Sequence, residues 1–409
     1  MRSPTLPPEI LTQIFKHVDP TRDLLSCCLV QSMWCDCALP LIERAPTELL
    51  LDPHEMPRLR RTASLITEAA VTAPRVLHAI RGVTVNLDYL FDYLPDGRCV
   101  LDTAASDTLV SILLPLSSLQ DLHLSRPNHT HHIQVLRPFL QQLSSLGATL
   151  THTSITNCGH PHTPDDDPSH PVADFLLTFS QLTSLTLTHL VAGDSMARSL
   201  FQLHKLHSLY LYDVSFPTPT HPLRIPLTRW RHLNTLHIQH PDPFLQTLTT
   251  LAVACPITLC HLYIVAPPHS YDVVNPAVHL LLQRLPALRT LALIGFATLA
   301  HLDVLSPLFC NCPQLELLDL TDCSSLPDHS MPLTSLWPYL RALRISGCTA
   351  MNGELVLEVL SRCERLEEVE LTMHVGCHLP VSAALKRRGF MFDGEERPPM
   401  GSGWRWKRE

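Results

Sequence analysis

The sequence predicts an α/β fold: a short all-helical module at the N-terminus, then a solenoid of repeating strand-and-helix units with parallel strands. Three observations lead there. From about residue 116 one apolar phrase recurs down the chain, as in "LHKLHSLYL" (203–211), "WRHLNTLHI" (230–238), "CPQLELLDLTDC" (312–323) and "CERLEEVEL" (363–371). Its penultimate apolar position falls at Leu122, Thr153, Leu185, Leu209, Leu236, Leu262, Leu291, Leu318, Leu343 and Val369, at intervals of 24–32 residues. Finally, residues 6–42 carry helix signals but no copy of the phrase.

Each part of the phrase has a physical reading. The alternation Leu318, Asp319, Leu320 gives a short strand with one face turned to the core. Stretches such as 275–285 and 352–363 have helical spacing, and the prolines in "LPAL", "CPQL" and "WPYL" stop the chain before the next strand. Cys158, Cys323 and Cys348 stand at one fixed offset after the strand, where a small apolar side chain fills a slot. A single unit cannot cover its own apolar face, so the units must stack. Leu49 and Val83 mark two earlier units at wider spacing, and 379–393 reads as a closing helix and strand. In phrase and period, residues 45–392 resemble the leucine-rich repeats, a likeness that implies strands on a concave face and helices outside it. The tail 393–409 is expected to be disordered.

Composition narrows the function. The 409 residues carry a formal charge of −8, against a general nucleic-acid grip. No apolar run reaches the length of a membrane span or a signal peptide, so the 14 cysteines are expected as free thiols in a reducing compartment, cytoplasmic or nuclear. No nucleophile elbow, phosphate-cradling glycine loop or zinc cysteine pair is present, so neither an enzyme, a cofactor nor a metal is expected. The His- and Asp-rich stretches "NHTHH" (128–132) and "GHPHTPDDDPSH" (159–170) fit no metal-site spacing and read as solvated insertions.

The N-terminal module, residues 5–44, has two blocks. Leu6, Pro7, Glu9, Ile10, Leu11, Ile14 and Phe15 form the first; Asp23, Leu24, Leu25, Leu29, Val30, Trp34, Ala38 and Leu41 form the second. In order and placement they resemble an F-box, with "WCDC" standing where the family often has basic residues. The resemblance, an F-box ahead of leucine-rich repeats, implies a non-catalytic substrate receptor of a cullin-RING ubiquitin ligase. The module would dock on the Skp adaptor through Leu6, Pro7, Ile10, Leu11, Ile14, Phe15, Leu24, Leu25, Val30 and Trp34. The repeats would hold an unidentified protein target, with no nucleic acid or membrane involved. A repeat scaffold without a ligase role is the alternative.

Target contact is expected on the open face of the sheet. The residue between the two strand leucines reads His123, Ser154, Thr186, Tyr210, His237, Tyr263, Ala292, Asp319, Arg344, Glu370. With strands about 4.8 Å apart, Tyr210, His237 and Tyr263 would form an aromatic ladder beside Tyr212, followed by a ladder of alternating charge. Aromatic side chains there are candidate anchors for a protein partner.

Overall fold

The computed structural model describes residues 7–17, 34, 37–38, 47–51, 56–72, 74–87, 90–93, 99–125, 133–156, 171–191, 194–215, 230–240, 255–267, 275–296, 308, 311–323, 337–348, 353–371, 375–393 and 404–408. The chain forms two compact units, Met1–Leu203 and His204–Glu409. Cys158 and both His-rich stretches lie outside the described residues.

In the first unit β1 (Thr47–Leu51), β2 (Ile80–Asn86), β5 (Asp121–Ser125), β6 (His152–Thr156) and β7 (Ser184–Val191) lie side by side in parallel. Leu49, Val83, Leu122, Thr153 and Leu185 are register partners, so the two early, widely spaced markers belong to the same row as the later ones. A small antiparallel hairpin, β3 (Phe91–Tyr93) with β4 (Cys99–Leu101), is inserted after β2 and accounts for the long interval to Leu122. The helix Thr103–Leu113 follows, its free N-terminal amides capped by Asp102, whose Oδ1 accepts from the N–H of Ala104 at 2.9 Å and of Ala105 at 3.1 Å. Thr153 takes the slot that leucine fills elsewhere, and its buried hydroxyl has no hydrogen-bond partner.

The second unit repeats the pattern with β8 (Ser208–Ser215), β9 (Thr235–Gln239), β10 (His261–Val265), β11 (Thr290–Ile294), β12 (Leu317–Asp319), β13 (Ala342–Ile345) and β14 (Glu368–Leu371), paired in parallel in chain order. The expected helices appear as Asn275–Leu282 and Glu354–Arg362. Leu209, Leu236, Leu262, Leu291, Leu318, Leu343 and Val369 form one buried row. Two residues earlier in each repeat the backbone makes the same bond again and again: Asn234 N–H donates to His207 O, Cys260 to Asn234, Arg289 to Cys260, Glu316 to Arg289, Arg341 to Glu316 and Glu367 to Arg341, all at 2.7–2.9 Å. Four residues after the marker the chain leaves the sheet through left-handed backbone, at Asp213, His240, Gly295, Asp322 and Gly347. Asp and His tolerate that region better than most side chains. Gly347 is required there, because a Cβ would run into the Asp322 carboxylate.

The cysteines after the strands do more than fill space. The thiol of Cys323 donates to Leu293 O at 3.1 Å and that of Cys348 to Leu320 O at 3.1 Å, each reaching one repeat back. Burial pushes the Cys348 thiol up to about 12 and Cys323 well above its ordinary value, so both stay protonated donors.

The C-terminus differs from expectation. The helix Val375–Arg387 and β15 (Phe390–Phe392) close the repeats as expected, but part of the tail is also ordered: β16 (Trp404–Arg408) lies between β14 and β15, antiparallel to both. Trp406 is buried, Phe392 packs edge-on against it at 5.4 Å, and Arg405 and Lys407 pair with Glu368 and Asp393 at 3.1 and 2.7 Å. The strand covers the amides that β14 would otherwise expose at the edge of the parallel sheet. Replacing Trp406 by Ala is expected to lower the unfolding free energy of the second unit by about 3–5 kcal/mol, measured by denaturant titration.

Candidate functional site

The first candidate surface is the helix α1 (Pro8–Phe15). Pro8 stands in its first turn, where no intrahelical N–H is needed, and the N–H of Leu11 donates to Pro7 O at 3.1 Å. Helical spacing then sorts the apolar residues into two stripes. Leu11 and Phe15 are only 1% and 2% exposed, while Ile10 and Ile14 are 47% and 44% exposed. Phe15 meets half-buried Trp34 edge-on at 5.6 Å, and the buried Cys37 donates its thiol to Pro8 O at 3.7 Å.

Of the residues named for docking from sequence, Leu11 and Phe15 are buried and half-buried Trp34 packs on Phe15. Pro7, Ile10 and Ile14 point outward, with Glu9 and Gln13 between them. Leu6, Leu24, Leu25 and Val30 lie outside the described residues.

The second surface is the aromatic row of the second unit. Tyr210, His237, Tyr263 and Ala292 are register partners on β8 to β11, in the expected column. The His237 ring lies 6.1 Å from Tyr210, 5.0 Å from Tyr212 and 5.5 Å from Tyr263, nearly parallel to the last at 22°. The rings are half-buried, as a row lying on the sheet rather than inside the core must be. His237 Nε2 is covered and has no hydrogen-bond partner among the described residues. Such an atom costs about 1–3 kcal/mol. Burial also holds the His237 pKa below its ordinary value, so the ring is neutral near neutral pH. Tyr212 is shifted upward, by burial and then by its neighbour Tyr210.

The expected charge ladder exists but is closed on itself. Arg344 reaches Asp319 at 3.9 Å, Glu368 at 3.2 Å and Glu370 at 3.8 Å. Burial alone would raise the Glu368 carboxyl, yet hydrogen bonds from Arg405 and Arg344 bring it below its usual value. Glu368 and Arg405 were not foreseen: Glu368 stands two residues before the column member Glu370, and Arg405 comes from the tail. Also unforeseen is a cleft of about 730 Å³ lined by Glu316, Tyr339, Arg341, Arg365, Glu367 and Arg408. Its walls are partly paired, Arg341 to Glu367 at 2.8 Å and Arg365 over the Tyr339 ring at 5.1 Å. Among the described residues no group of His, Cys, Asp and Glu is placed to hold a metal ion, and no helix is long and apolar enough to cross a membrane.

Comparison with known proteins agrees with the division at the N-terminus: residues 4–42 match the family model described as F-box-like. No curated protein is significantly similar to the chain. Solved structures similar to it include a TLR13–ssRNA13 complex, at 15% identity over 81% of this chain with a TM-score of 0.46. Another is a protein from Bacteroides fragilis, at 12% identity over 73% of this chain and 86% of that one with a TM-score of 0.37. The chain spans 40% of the length of the TLR13 chain it matches.

The buried position of His237 has a measurable consequence. A group whose folded pKa is depressed takes up its proton more readily in the unfolded chain. Its contribution to stability is therefore complete above the unfolded value of about 6.5 and is lost as pH falls below it. An imidazole titration by NMR should place the His237 midpoint below that value. A midpoint at or above it would show that the ring is open to solvent.

Proposed function

We propose that the protein is the substrate-recognition subunit of an SCF-type ubiquitin ligase. The N-terminal module docks on the Skp adaptor and the repeats hold a protein target, with no catalytic residue in this chain. The observation that carries the reading is the outward stripe of α1 within the F-box-like match: two isoleucines left half exposed on a helix whose other stripe is already packed. Burying each contributes about 1.5–3 kcal/mol, which favours a partner surface over open solvent. The repeats supply the aromatic row for the target. The chemistry belongs to the ligase, and this chain acts by proximity, holding the target where a charged E2 can reach it. Such assembly belongs in the cytoplasm or nucleus, in keeping with buried thiols held as hydrogen-bond donors.

Replacing Ile10 and Ile14 together by Asp should abolish adaptor co-purification while leaving the module folded, because both side chains are half exposed and stand outside its packed stripe. Leu11→Ala, by contrast, should destabilise the module by about 2–5 kcal/mol. Full adaptor recovery by the Ile10/Ile14 variant would overturn the docking reading. Loss of target ubiquitination on deleting residues 1–44 would separate a receptor from a scaffold.

A further inference from the structure

The aromatic row has a specific chemistry. Strands β8, β9 and β10 contain no Lys or Arg, and Asp213 is their one carboxylate. Asp213 stands next to Tyr212 in the chain, with the His240 ring 3.5 Å from its carboxylate. Three phenol rings flank one imidazole, and the faces of such rings are electron-rich. The next column member, Ala292, offers only a methyl group, so among the described residues no ring stacks on the far side of Tyr263. At the centre sits Nε2 of His237, lacking any hydrogen-bond partner among the described residues. An acidic ligand would meet electron-rich π faces with no Lys or Arg on these strands to pair it, and a purely apolar one would leave Nε2 unpaired.

We propose that the row receives an arginine side chain of the protein target. This rests on the receptor reading above and names the chemistry of what the receptor grips. A guanidinium is planar and can lie flat on a tyrosine face while its edge donates N–H bonds. With the His237 proton on Nδ1, Nε2 is an acceptor, and a small rotation of the Tyr212 or Tyr263 ring would uncover it, so that the pairing missing in the free protein is made in the complex. The neutral state of His237 avoids repulsion of the incoming cation. The formal charge of −8 on the whole chain adds a favourable long-range field.

The test is a selection from a random linear peptide library displayed against the full chain. Tyr210→Thr with Tyr263→Thr serves as the counter-selection. Threonine suits the position because Thr186 occupies the same column in another repeat. Enriched peptides are expected to carry arginine. Replacing that arginine by citrulline, its neutral counterpart, should weaken binding roughly tenfold. Equal affinity for the citrulline peptide, enrichment of acidic or purely aliphatic peptides, or no enrichment over the double variant would overturn the proposal. The citrulline comparison uses the unaltered protein, so it decides even if the double variant fails to fold. Adaptor recovery on the same preparations reports on the F-box docking separately, so the two readings can fail independently.

Discussion

Within each unit, everything depends on the register between neighbouring strands. A parallel strand of three to eight residues has little stability alone, and its side chains alternate between two faces, so a slip of one residue would exchange core and surface. Two features hold the register. The leucine row seats each strand on the core, and the repeated bond from the amide two residues before it ties each repeat to the one before. The thiols of Cys323 and Cys348 add a third tie, again one repeat back. Once the register is set, the residue between the leucines is turned to the opposite face of the sheet. The aromatic row follows from packing that has nothing to do with a ligand.

The same logic of paired stripes governs the N-terminal helix. Leu11 and Phe15 stand four apart and turn inward, and Ile10 and Ile14 stand four apart and turn outward. One stripe makes the module fold and the other is left over, so folding and docking can be altered separately. In the second unit the division is between strands. Arg344 pairs with three carboxylates, yet its Nε, like Nε2 of His237, is buried without a hydrogen-bond partner among the described residues. The two halves of the column differ in chemistry: one is closed by ion pairs and the other is built of rings.

Much of this could be read in the sequence, for physical reasons. The apolar phrase states the strand face directly, so the column emerges within each unit, from His123 to Thr186 in the first and from Tyr210 to Glu370 in the second, and even Thr153 keeps its place in the leucine row. What was not legible lacked periodicity. "WRWKR" is polar and short, and only its long-range partners Glu368, Asp393 and Phe392 make it a strand. In α1 every apolar residue matched the family pattern, and nothing local separates a leucine that packs inside from an isoleucine left half exposed. That separation needed Trp34 and Cys37, brought in from further along the chain.

The register itself can be trapped chemically. Cysteines at Tyr210 and His237 would be direct register partners on one face, and neighbouring strands lie about 4.7–4.9 Å apart, inside the roughly 4.4–6.8 Å Cα separation that a disulfide spans. Cysteines at Tyr210 and Ile238 point to opposite faces. Oxidation followed by peptide mapping should show the 210–237 bridge and no 210–238 bridge. The reverse result would mean that the strands pair one residue out of step, and that the tyrosines and His237 do not share a surface.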